Sequence, residues 1–249
     1  MTLSDAEVVR YSRQLVMQEW SGEAQERLKA ASAIVVGAGA LGSPALTYLV
    51  AAGIGRVGVV DSDEVELSNL HRQPLHLTPD VGASKAANAA VKLAFLNPEV
   101  QIDPYPVTLE AQNAAAIVAG ADAVLDCSDS FATRYLVNDA CCAEGVALVE
   151  AGVAAWDALV LSVRPGESAC YRCSFPVPAE EESCAETGVV GALAGVVGSI
   201  QALEAIKLVT GVGEPLLDTI LQLDGRSMEQ TLVATERQPD CVGCGALSD

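Results

Sequence analysis

A glycine-rich segment early in the chain has the composition of a phosphate-binding turn. Gly37-Ala-Gly39-Ala-Leu-Gly42 directly follows a short apolar run and precedes a stretch with helical patterning. In such a turn the first glycine permits the tight bend, the second lets a phosphate approach the backbone, and the third allows close packing of helix on strand. Free N–H groups at the helix N-terminus then face the anion. The pattern predicts a nucleotide site, with a merely structural glycine turn as the alternative.

An acidic residue stands where a ribose ligand is expected. Asp61 ends the next apolar run, 19 residues after Gly42, and an acid at about this distance contacts the ribose in dinucleotide-binding folds. The turn and Asp61 together predict an adenine nucleotide. NAD chemistry is the less favoured choice, because the only histidines, His71 and His76, share one loop and no Tyr-x-x-x-Lys pair is present.

Four cysteines form two widely separated C-x-x-C pairs. Cys170 and Cys173 make the first pair, and Cys241 and Cys244 the second. Two such pairs are typical of a tetrahedral Zn²⁺ site, and four thiolates leave no open position for water, which indicates a structural role. Redox-active pairs are the alternative. Cys184 differs, because it stands in a polar, proline-bearing segment that is predicted to be a loop.

The elements that position these residues follow from hydrophobic periodicity. Apolar runs that alternate with helical patterns predict a doubly wound, Rossmann-like, mostly parallel sheet in an α/β fold, with an antiparallel C-terminal extension. The predicted strands are 33–36, 57–60, 101–105, 123–127, 147–150, 159–163, 219–223 and 230–234, and the predicted helices are 44–52, 84–96, 111–119, 133–144 and 189–210.

Two helices are predicted before the first strand. Ser4 and Glu7 have the spacing of a capping box, so a helix is expected over 4–18, with Arg10 and Arg13 on one face, and a second over 23–30. With no linker or repeat in view, we expect one domain over 1–249. Its parts are N-terminal helices at about 4–30, a nucleotide-binding core at about 31–150 and a zinc-tied part at about 151–249.

Composition narrows the possible partners. The formal net charge of −19 argues against nucleic acid, because phosphate binding depends on Lys and Arg. The first twenty residues lack an apolar signal core, and the most apolar run, 189–200, is shorter than the ~20 residues that a membrane helix needs. We therefore expect a cytoplasmic protein with no membrane span.

Further motifs carry a family resemblance. Ser68-Asn-Leu-His-Arg-Gln73 follows Asp61, Lys85 begins a predicted helix, and Asp126-Cys-Ser-Asp129 ends a strand. With Arg10-Tyr-Ser-Arg-Gln14 and the two cysteine pairs, this order resembles the ThiF/MoeB/HesA family of the ubiquitin-activating-enzyme superfamily over nearly the full length. Two departures put residue-level transfer in doubt: Ser130 stands where the family has asparagine, and Trp156-Asp-Ala158 replaces a Gly-Gln pair.

The resemblance implies ATP and Mg²⁺ as cofactors and assigns roles to individual residues. Arg72 and Lys85 would contact the phosphates, and Asp129 would hold Mg²⁺. Arg13 would reach the triphosphate of a neighbouring subunit, which implies a homodimer. Cys184 would carry a covalent link to the substrate, with an inert exposed thiol as the alternative because the neighbouring glutamates raise a thiol pKa. The remaining expected nucleotide ligands are Gly37, Gly39, Gly42, Asp61, Asp63, Asn69 and Gln73.

The implied activity is adenylation of the C-terminal glycine carboxylate of a small ubiquitin-like sulfur-carrier protein of the ThiS/MoaD type, ending in Gly-Gly, with release of pyrophosphate. A separate sulfur donor protein would complete the thiocarboxylate. A role in thiamine synthesis is preferred over molybdopterin synthesis, and a tRNA-dehydrating branch is a lesser option. The competing hypotheses are an NAD-dependent oxidoreductase and a nucleotide-binding module without turnover.

Overall fold

The computed structural model describes residues 2–177 and 188–245. Eight strands form one sheet in the order β3-β2-β1-β4-β5-β6-β7-β8. The strands are β1 Ser32–Val36, β2 Arg56–Val60, β3 Gln101–Tyr105, β4 Ala123–Asp126, β5 Ala147–Ala154, β6 Asp157–Val163, β7 Thr219–Asp224 and β8 Glu229–Ala234.

The sheet has a parallel half and an antiparallel half. Strands β1 to β5 run parallel, whereas β6, β7 and β8 are joined to β5 and to one another in antiparallel fashion. Strand β1 pairs with both β2 and β4, so the strand order reverses beside it. Ligands of open α/β sheets bind at the carboxyl ends of the strands on either side of such a reversal. The predicted fold class is confirmed.

Helices cover both faces of the parallel half. In the described residues they are α1 Asp5–Arg10, α2 Ser12–Leu15, α3 Gly22–Ala30, α4 Gly42–Ala52, α5 Lys85–Leu96, α6 Ala114–Val118, α7 Phe131–Glu144, α8 Tyr171–Ser174 and α9 Gly191–Thr210. Two short 3₁₀ helices, Leu67–Asn69 and Thr78–Asp80, lie in the β2–α5 connection.

Successive side chains of a central strand pack into two different hydrophobic cores, one on each face of the sheet. Val35 of β1 packs into the larger core, under α3, α4, α5 and α9. Its neighbours Ile34 and Val36 point to the opposite face and pack with α6 and α7. The period of two along a strand produces this division, because both faces of a parallel sheet are buried.

Helix α9 is the one described helix long and apolar enough to cross a membrane, with a hydropathy of 1.5. Its contacts are with α3 and α4 and with β4, β5 and β6. A Cβ at Gly198 would lie 2.2 Å from the Leu41 carbonyl oxygen, so α9 and the start of α4 approach closely. Buried Gln201 and Glu204 on α9 both hydrogen-bond inside the fold. These contacts make α9 a core helix.

The predicted helix over 4–18 is wrong, because the chain bends at Tyr11. The capping box between Ser4 and Glu7 is present as predicted. Tyr11 is buried, and its hydroxyl accepts a hydrogen bond from Asn97 Nδ2 (2.9 Å). This anchor ends α1 and begins α2, so Arg10 and Arg13 belong to different helices.

Candidate active site

The glycine-rich turn connects β1 to α4 at the reversal of strand order. Gly37 has φ of +96°, and a Cβ there would lie 2.8 Å from the Cys127 carbonyl oxygen. A Cβ on Gly42 would lie 1.9 Å from the Gly37 carbonyl oxygen. A Cβ on Gly39 would meet only Gln73 Nε2, at 3.5 Å. Gly37 and Gly42 are therefore required by the turn itself, whereas Gly39 leaves the backbone open to a ligand.

Asp61 braces this turn from the end of β2. One carboxylate oxygen accepts a hydrogen bond from Ala38 N (2.7 Å) and the other from Asp63 N (2.8 Å). Burial raises the pKa of Asp61, and the two backbone N–H groups oppose the rise. Each oxygen keeps a lone pair that could accept a ribose hydroxyl.

Lys85 lies beside the acidic end of β2. Its Nζ is 2.8 Å from Asp63 Oδ2, and its side chain is only 7% exposed, against 67% for Asp63. The backbone N–H of Lys85 also donates to the Asp63 carbonyl (2.9 Å), and Ser84 caps the helix that Lys85 begins. The ammonium group is thus positioned by the start of α5, and the exposed Asp63 could give way to a phosphate.

The box over 68–73 lies against the turn. Asn69 and Gln73 are buried, and Gln73 N donates to the Asn69 carbonyl. Gln73 Oε1 is buried and has no hydrogen-bond partner among the described residues. A buried acceptor next to Gly39 fits a nucleotide that donates a hydroxyl or amino hydrogen, because unpaired buried acceptors are costly.

Arg72 is held at the rim of this box. Its Nη1 donates to the Ser68 carbonyl (3.0 Å) and lies 3.0 Å from His71 Nε2. The first turn of α9 closes over it, since a Cβ on Gly191 would lie 3.1 Å from Arg72 Cα. Nη1 is therefore engaged within the box, and Arg72 Nε and Nη2 make no hydrogen bond to the described residues.

His76 supports the turn and was not predicted as a site residue. Its Nε2 is 2.9 Å from the Ala38 carbonyl, and Asn88 Nδ2 is 2.8 Å from its Nδ1. Because the Asn88 amide can only donate there, His76 carries its proton on Nε2 and donates it to Ala38. Burial lowers the pKa of His76 and keeps the ring neutral. The sequence showed only a polar residue in a loop.

Asp129 stands just past β4 at the carboxyl edge of the sheet, beside a cavity of about 720 Å³. Ser130 is the N-cap of α7, with its hydroxyl accepting from Thr133 N (3.4 Å). Asparagine and serine are both favoured at this position. The departure at Ser130 therefore keeps the helix start that places Asp129.

Two buried acids and an arginine lie under this edge, and sequence reasoning missed them. Arg134 Nη1 donates to Glu150 Oε1 (2.9 Å) and to the Ala151 carbonyl (2.8 Å). Burial raises the pKa of Asp126 and of Glu150, and the carboxyl group of Asp126 raises that of Glu150 further. The two acids therefore bind a proton more readily than exposed carboxyl groups do, and Arg134 offsets charge on Glu150. In the sequence, Asp126 and Glu150 appear only as polar residues near the ends of predicted strands.

The four predicted zinc ligands come together at the other end of α7. Their Sγ atoms lie within 4.8 Å of one another. The Sγ separations are 3.9 Å for Cys170–Cys173, 3.7 Å for Cys170–Cys241 and 3.5 Å for Cys173–Cys244. A tetrahedron with Zn–S bonds of about 2.3 Å has edges of about 3.8 Å. The sulfur geometry fits a four-thiolate zinc ion.

The predicted nucleotide ligands lie just past the carboxyl ends of β1, β2 and β4 or in the β2–α5 connection, and Arg13 lies elsewhere. That residue is exposed on α2, whose Gln14 contacts the carbonyl of Ala52 at the C-terminal end of α4. The glycine turn lies at the other end of α4, 11 residues or about 16 Å away. Cys184 lies outside the described residues.

A Rossmann-like sheet with this turn, a buried lysine and an unpaired buried acceptor defines a nucleotide-binding α/β protein. The ThiF family model matches residues 11–243. The chain belongs to the ThiF family, and its assignment as an adenylyltransferase is confirmed at the level of enzyme class.

Similar proteins cover almost the whole chain. A sulfur carrier protein adenylyltransferase of Thermus thermophilus is 46% identical over 98% of this chain and 93% of its own length. The SAMP-activating enzyme E1 of Haloferax volcanii is 43% identical over 98% of this chain and 92% of its own. The adenylyltransferase and sulfurtransferase MOCS3-1 of Drosophila pseudoobscura is also 43% identical over 98% of this chain, which spans only 55% of that protein.

Solved structures share the fold. E. coli MccB with ATP has a TM-score of 0.85 at 24% identity, covering 95% of this chain and 74% of MccB. E. coli MccB with MccA-N7isoASN has a TM-score of 0.87 at 23% identity, covering 98% and 75%.

Proposed function

We propose that this enzyme uses ATP to adenylate the C-terminal glycine carboxylate of a ubiquitin-like sulfur-carrier protein, with release of pyrophosphate. The observation that carries the proposal is that a candidate nucleotide site and a candidate site for a polypeptide tail lie at the same edge of the sheet. The glycine turn follows the carboxyl end of β1, and Asp129, which lines the 720 Å³ cavity, follows the carboxyl end of the neighbouring strand β4. A nucleotide on the turn and a polypeptide tail in the cavity would therefore bring the two reacting groups together. The relatives that act on sulfur-carrier proteins support this reading.

The residues at this edge fit the charge changes of the reaction. The tail carboxylate attacks the α-phosphorus, the bond to the bridging oxygen breaks, and pyrophosphate leaves with the electron pair. Negative charge grows on the phosphate oxygens, where Lys85 and Arg72 would stabilise it. Asp129 would hold Mg²⁺, which would offset the negative charge of the phosphates. Asp61 and Gln73 would accept hydrogen bonds from the nucleoside.

The oxidoreductase alternative loses support from the described residues. Both ring nitrogens of His76 are engaged inside the fold, with Ala38 and Asn88. The ring nitrogen Nε2 of His71 lies against Arg72. His76 is therefore not placed to exchange a proton with a hydride-transfer substrate, and His71 has one ring nitrogen engaged. A binding module without turnover would have no need for the buried Lys85 ammonium beside the turn.

A homodimer is part of the proposal. Arg13 lies far from the turn of its own chain, so a partner subunit would have to bring it to the triphosphate. An open groove of about 930 Å³ between α4, α5 and α9 offers a surface for a second copy. Its lining includes the exposed apolar side chains of Tyr48, Leu77 and Leu203, and patches of this kind mark interfaces.

The finer assignments rest on the family resemblance. They are thiamine synthesis in preference to molybdopterin synthesis, a separate sulfur donor, and a covalent role for Cys184 after adenylation. A cytoplasmic location is proposed from the composition of the sequence instead. Acyl-adenylate formation itself needs no thiol, so Cys184→Ser should retain pyrophosphate exchange.

Carrier-dependent exchange of labelled pyrophosphate into ATP tests the proposal. Lys85→Ala and Arg72→Ala should each lower the exchange rate by about 10²–10³, the usual effect of removing one charge stabiliser. Arg56→Ala is a control, because Arg56 lies at the opposite end of β2 from Asp61 and pairs with Asp103 instead. If no Gly-Gly-ending carrier supports exchange, the proposed function is wrong.

A further inference from the structure

The peptide group between Ala38 and Gly39 lies in the glycine-rich turn and is tied to the fold on one side only. Its carbonyl oxygen, on Ala38, is 2.9 Å from Nε2 of His76. Its N–H group, on Gly39, donates no hydrogen bond to any residue that the structure describes. Ala38 is fully buried, whereas Gly39 is partly exposed. One edge of the peptide group therefore faces the interior, and the other faces the surface of the turn.

The geometry of a trans peptide couples these two edges. Its C=O and N–H bonds point in opposite directions because the group is planar, and the described residues contain no cis peptide bond. A side chain that holds the Ala38 carbonyl inward therefore turns the Gly39 N–H outward. An outward N–H just before a helix is the kind of group that contacts a phosphate in nucleotide-binding turns.

This peptide group needs an external tie because a glycine follows it. A flip of the group reverses both of its bonds and changes the φ angle of the residue after it. Glycine accepts either sign of φ, so backbone sterics at Gly39 do not select one orientation. The hydrogen bond from His76 to the Ala38 carbonyl therefore selects between two orientations that Gly39 permits.

The His76 ring is fixed in the state that this role requires. A carbonyl oxygen can only accept, so Nε2 carries the ring hydrogen and donates it to Ala38. Asn88 Nδ2 lies 2.8 Å from Nδ1, the other ring nitrogen. His76 is 2% exposed, and burial lowers its pKa, which keeps Nδ1 free of a proton and able to accept from Asn88. The ring is thus held in one tautomer by partners at both nitrogens.

Helix α5 connects this histidine to the lysine beside the turn. Asn88 lies three residues after Lys85, about one turn farther along the same helix. Lys85 forms its ion pair with Asp63 at the end of β2. Helix α5 therefore positions a cation directly and, through Asn88 and His76, a backbone donor.

We infer that His76 is a positioning residue for the nucleotide and acts by holding the Gly39 N–H toward a phosphate of ATP. His76 does not itself contact the nucleotide, since both of its ring nitrogens are engaged inside the fold. The inference rests on the ATP binding that the proposed function requires, and it is independent of the carrier.

Two substitutions at His76 separate the hydrogen-bond donor from the ring. The amide nitrogen of glutamine is as many bonds from Cα as Nε2 of histidine, so His76→Gln keeps a donor for Ala38, whereas His76→Leu removes it. Calorimetry with ATP and Mg²⁺ in the absence of carrier should give a Kd at least about tenfold higher for His76→Leu than for the parent, because a hydrogen bond to a charged group is lost. His76→Gln should stay within about threefold of the parent.

NMR of protein labelled with nitrogen-15 glycine observes the Gly39 N–H directly. Saturating ATP should move the Gly39 amide proton downfield in the parent and in His76→Gln, because an N–H that donates to a phosphate is deshielded. In His76→Leu this downfield movement should be absent. The Gly39 signal is identified by its loss in Gly39→Ala.

Thr210→Val is the matched control for lost stability. Thr210 is buried, and its hydroxyl donates to the Ile206 carbonyl (2.7 Å) at the C-terminal end of α9. Like His76→Leu, this substitution removes a buried donor to a backbone carbonyl, so the melting temperature should fall. The Kd for ATP should remain at the parent value.

The inference and the proposed function fail separately. An unchanged Kd in His76→Leu, or an equal loss in His76→Leu and His76→Gln, overturns the inference and leaves adenylation standing. A downfield movement of Gly39 that persists in His76→Leu also overturns it. If the variants bind ATP in the expected order but no carrier supports exchange, only the proposed function is wrong. A parent enzyme that binds no ATP overturns both.

Discussion

At the scale of single residues, the buried acids Asp126 and Glu150 show how burial favours the protonated form of a carboxyl group. Asp126 and Glu150 are both fully buried, and one arginine cannot balance two carboxylates. The raised pKa of Glu150 means that the folded protein holds a proton which the unfolded chain releases above about pH 4.5. Stability from this group is complete below that pH and is lost as the pH rises toward the folded pKa.

Glu150→Gln should remove this pH dependence. Glutamine keeps the acceptor for Arg134 and replaces the proton by an amide donor, so the variant should match the parent near pH 5. Above that, its free energy of unfolding should exceed the parent value by up to about 1.4 kcal/mol per pH unit. Urea unfolding of both proteins between pH 5 and 8 measures this difference in the free energy of unfolding. Groups that titrate in the same way in both proteins cancel in it.

Glu144→Gln provides the control for that series, because Glu144 is an exposed acid at the end of α7. Its difference from the parent should be flat with pH. A flat difference for Glu150→Gln as well would show that both buried acids are ionised in the folded protein.

The glycines of the nucleotide turn permit a matched comparison. Gly42→Ala places a methyl group 1.9 Å from a backbone oxygen, so its free energy of unfolding should fall by about 3 kcal/mol or more. Gly39→Ala meets only the end of Gln73, so its stability should stay within about 0.5 kcal/mol while the KM for ATP rises. Thermal unfolding and ATP titration separate the two effects. Equal stability loss in both variants would contradict these roles.

At the scale of elements, the sequence alone predicted the helices and strands whose hydrophobic periodicity is strong. Each predicted strand is present. The central parallel strands were the plainest, because strands buried on both faces are continuous apolar runs such as Val57–Val60. The bend at Tyr11 was missed because its cause is a contact with Asn97, 86 residues away. The alignment of Asp157, Asp224 and Glu229 across β6, β7 and β8 was also missed, since only strand register places these acids side by side.

One C-x-x-C pair lies at α8 and the other near the C-terminal end of the described residues. A zinc ion bound to both pairs should therefore hold two distant parts of the chain together. Protein purified without chelator should contain about one zinc per chain by metal analysis. Cys241→Ser should lose that zinc and melt at a markedly lower temperature, because metal binding contributes directly to folding. Cys141→Ala removes a buried thiol outside the cluster and should keep its zinc. Zinc-free parent protein with an unchanged melting temperature would contradict the site.

At the scale of the whole molecule, a dimer with shared sites predicts complementation between inactive chains. Arg13→Ala and Asp129→Ala should each be nearly inactive alone. Heterodimers should recover pyrophosphate exchange, because one of their two sites has both groups intact. Verified heterodimers without recovery would place Arg13 outside the partner's site. Arg10→Ala serves as the control, since Arg10 binds the Leu96 carbonyl of its own chain and should leave exchange near the parent rate.

The central position of β1 has a consequence for synthesis on the ribosome. Strand β2 pairs with one edge of β1 soon after it emerges, but the other edge waits for β4, which begins 87 residues after β1 ends. At about 5–20 residues per second, that delay is about 4–17 s. During this interval the nascent chain exposes the apolar edge Ala33-Ile-Val-Val36, which other chains can join. Ribosome-bound chains stalled before residue 123 should therefore bind chaperones, and chains stalled well beyond residue 150 should release them.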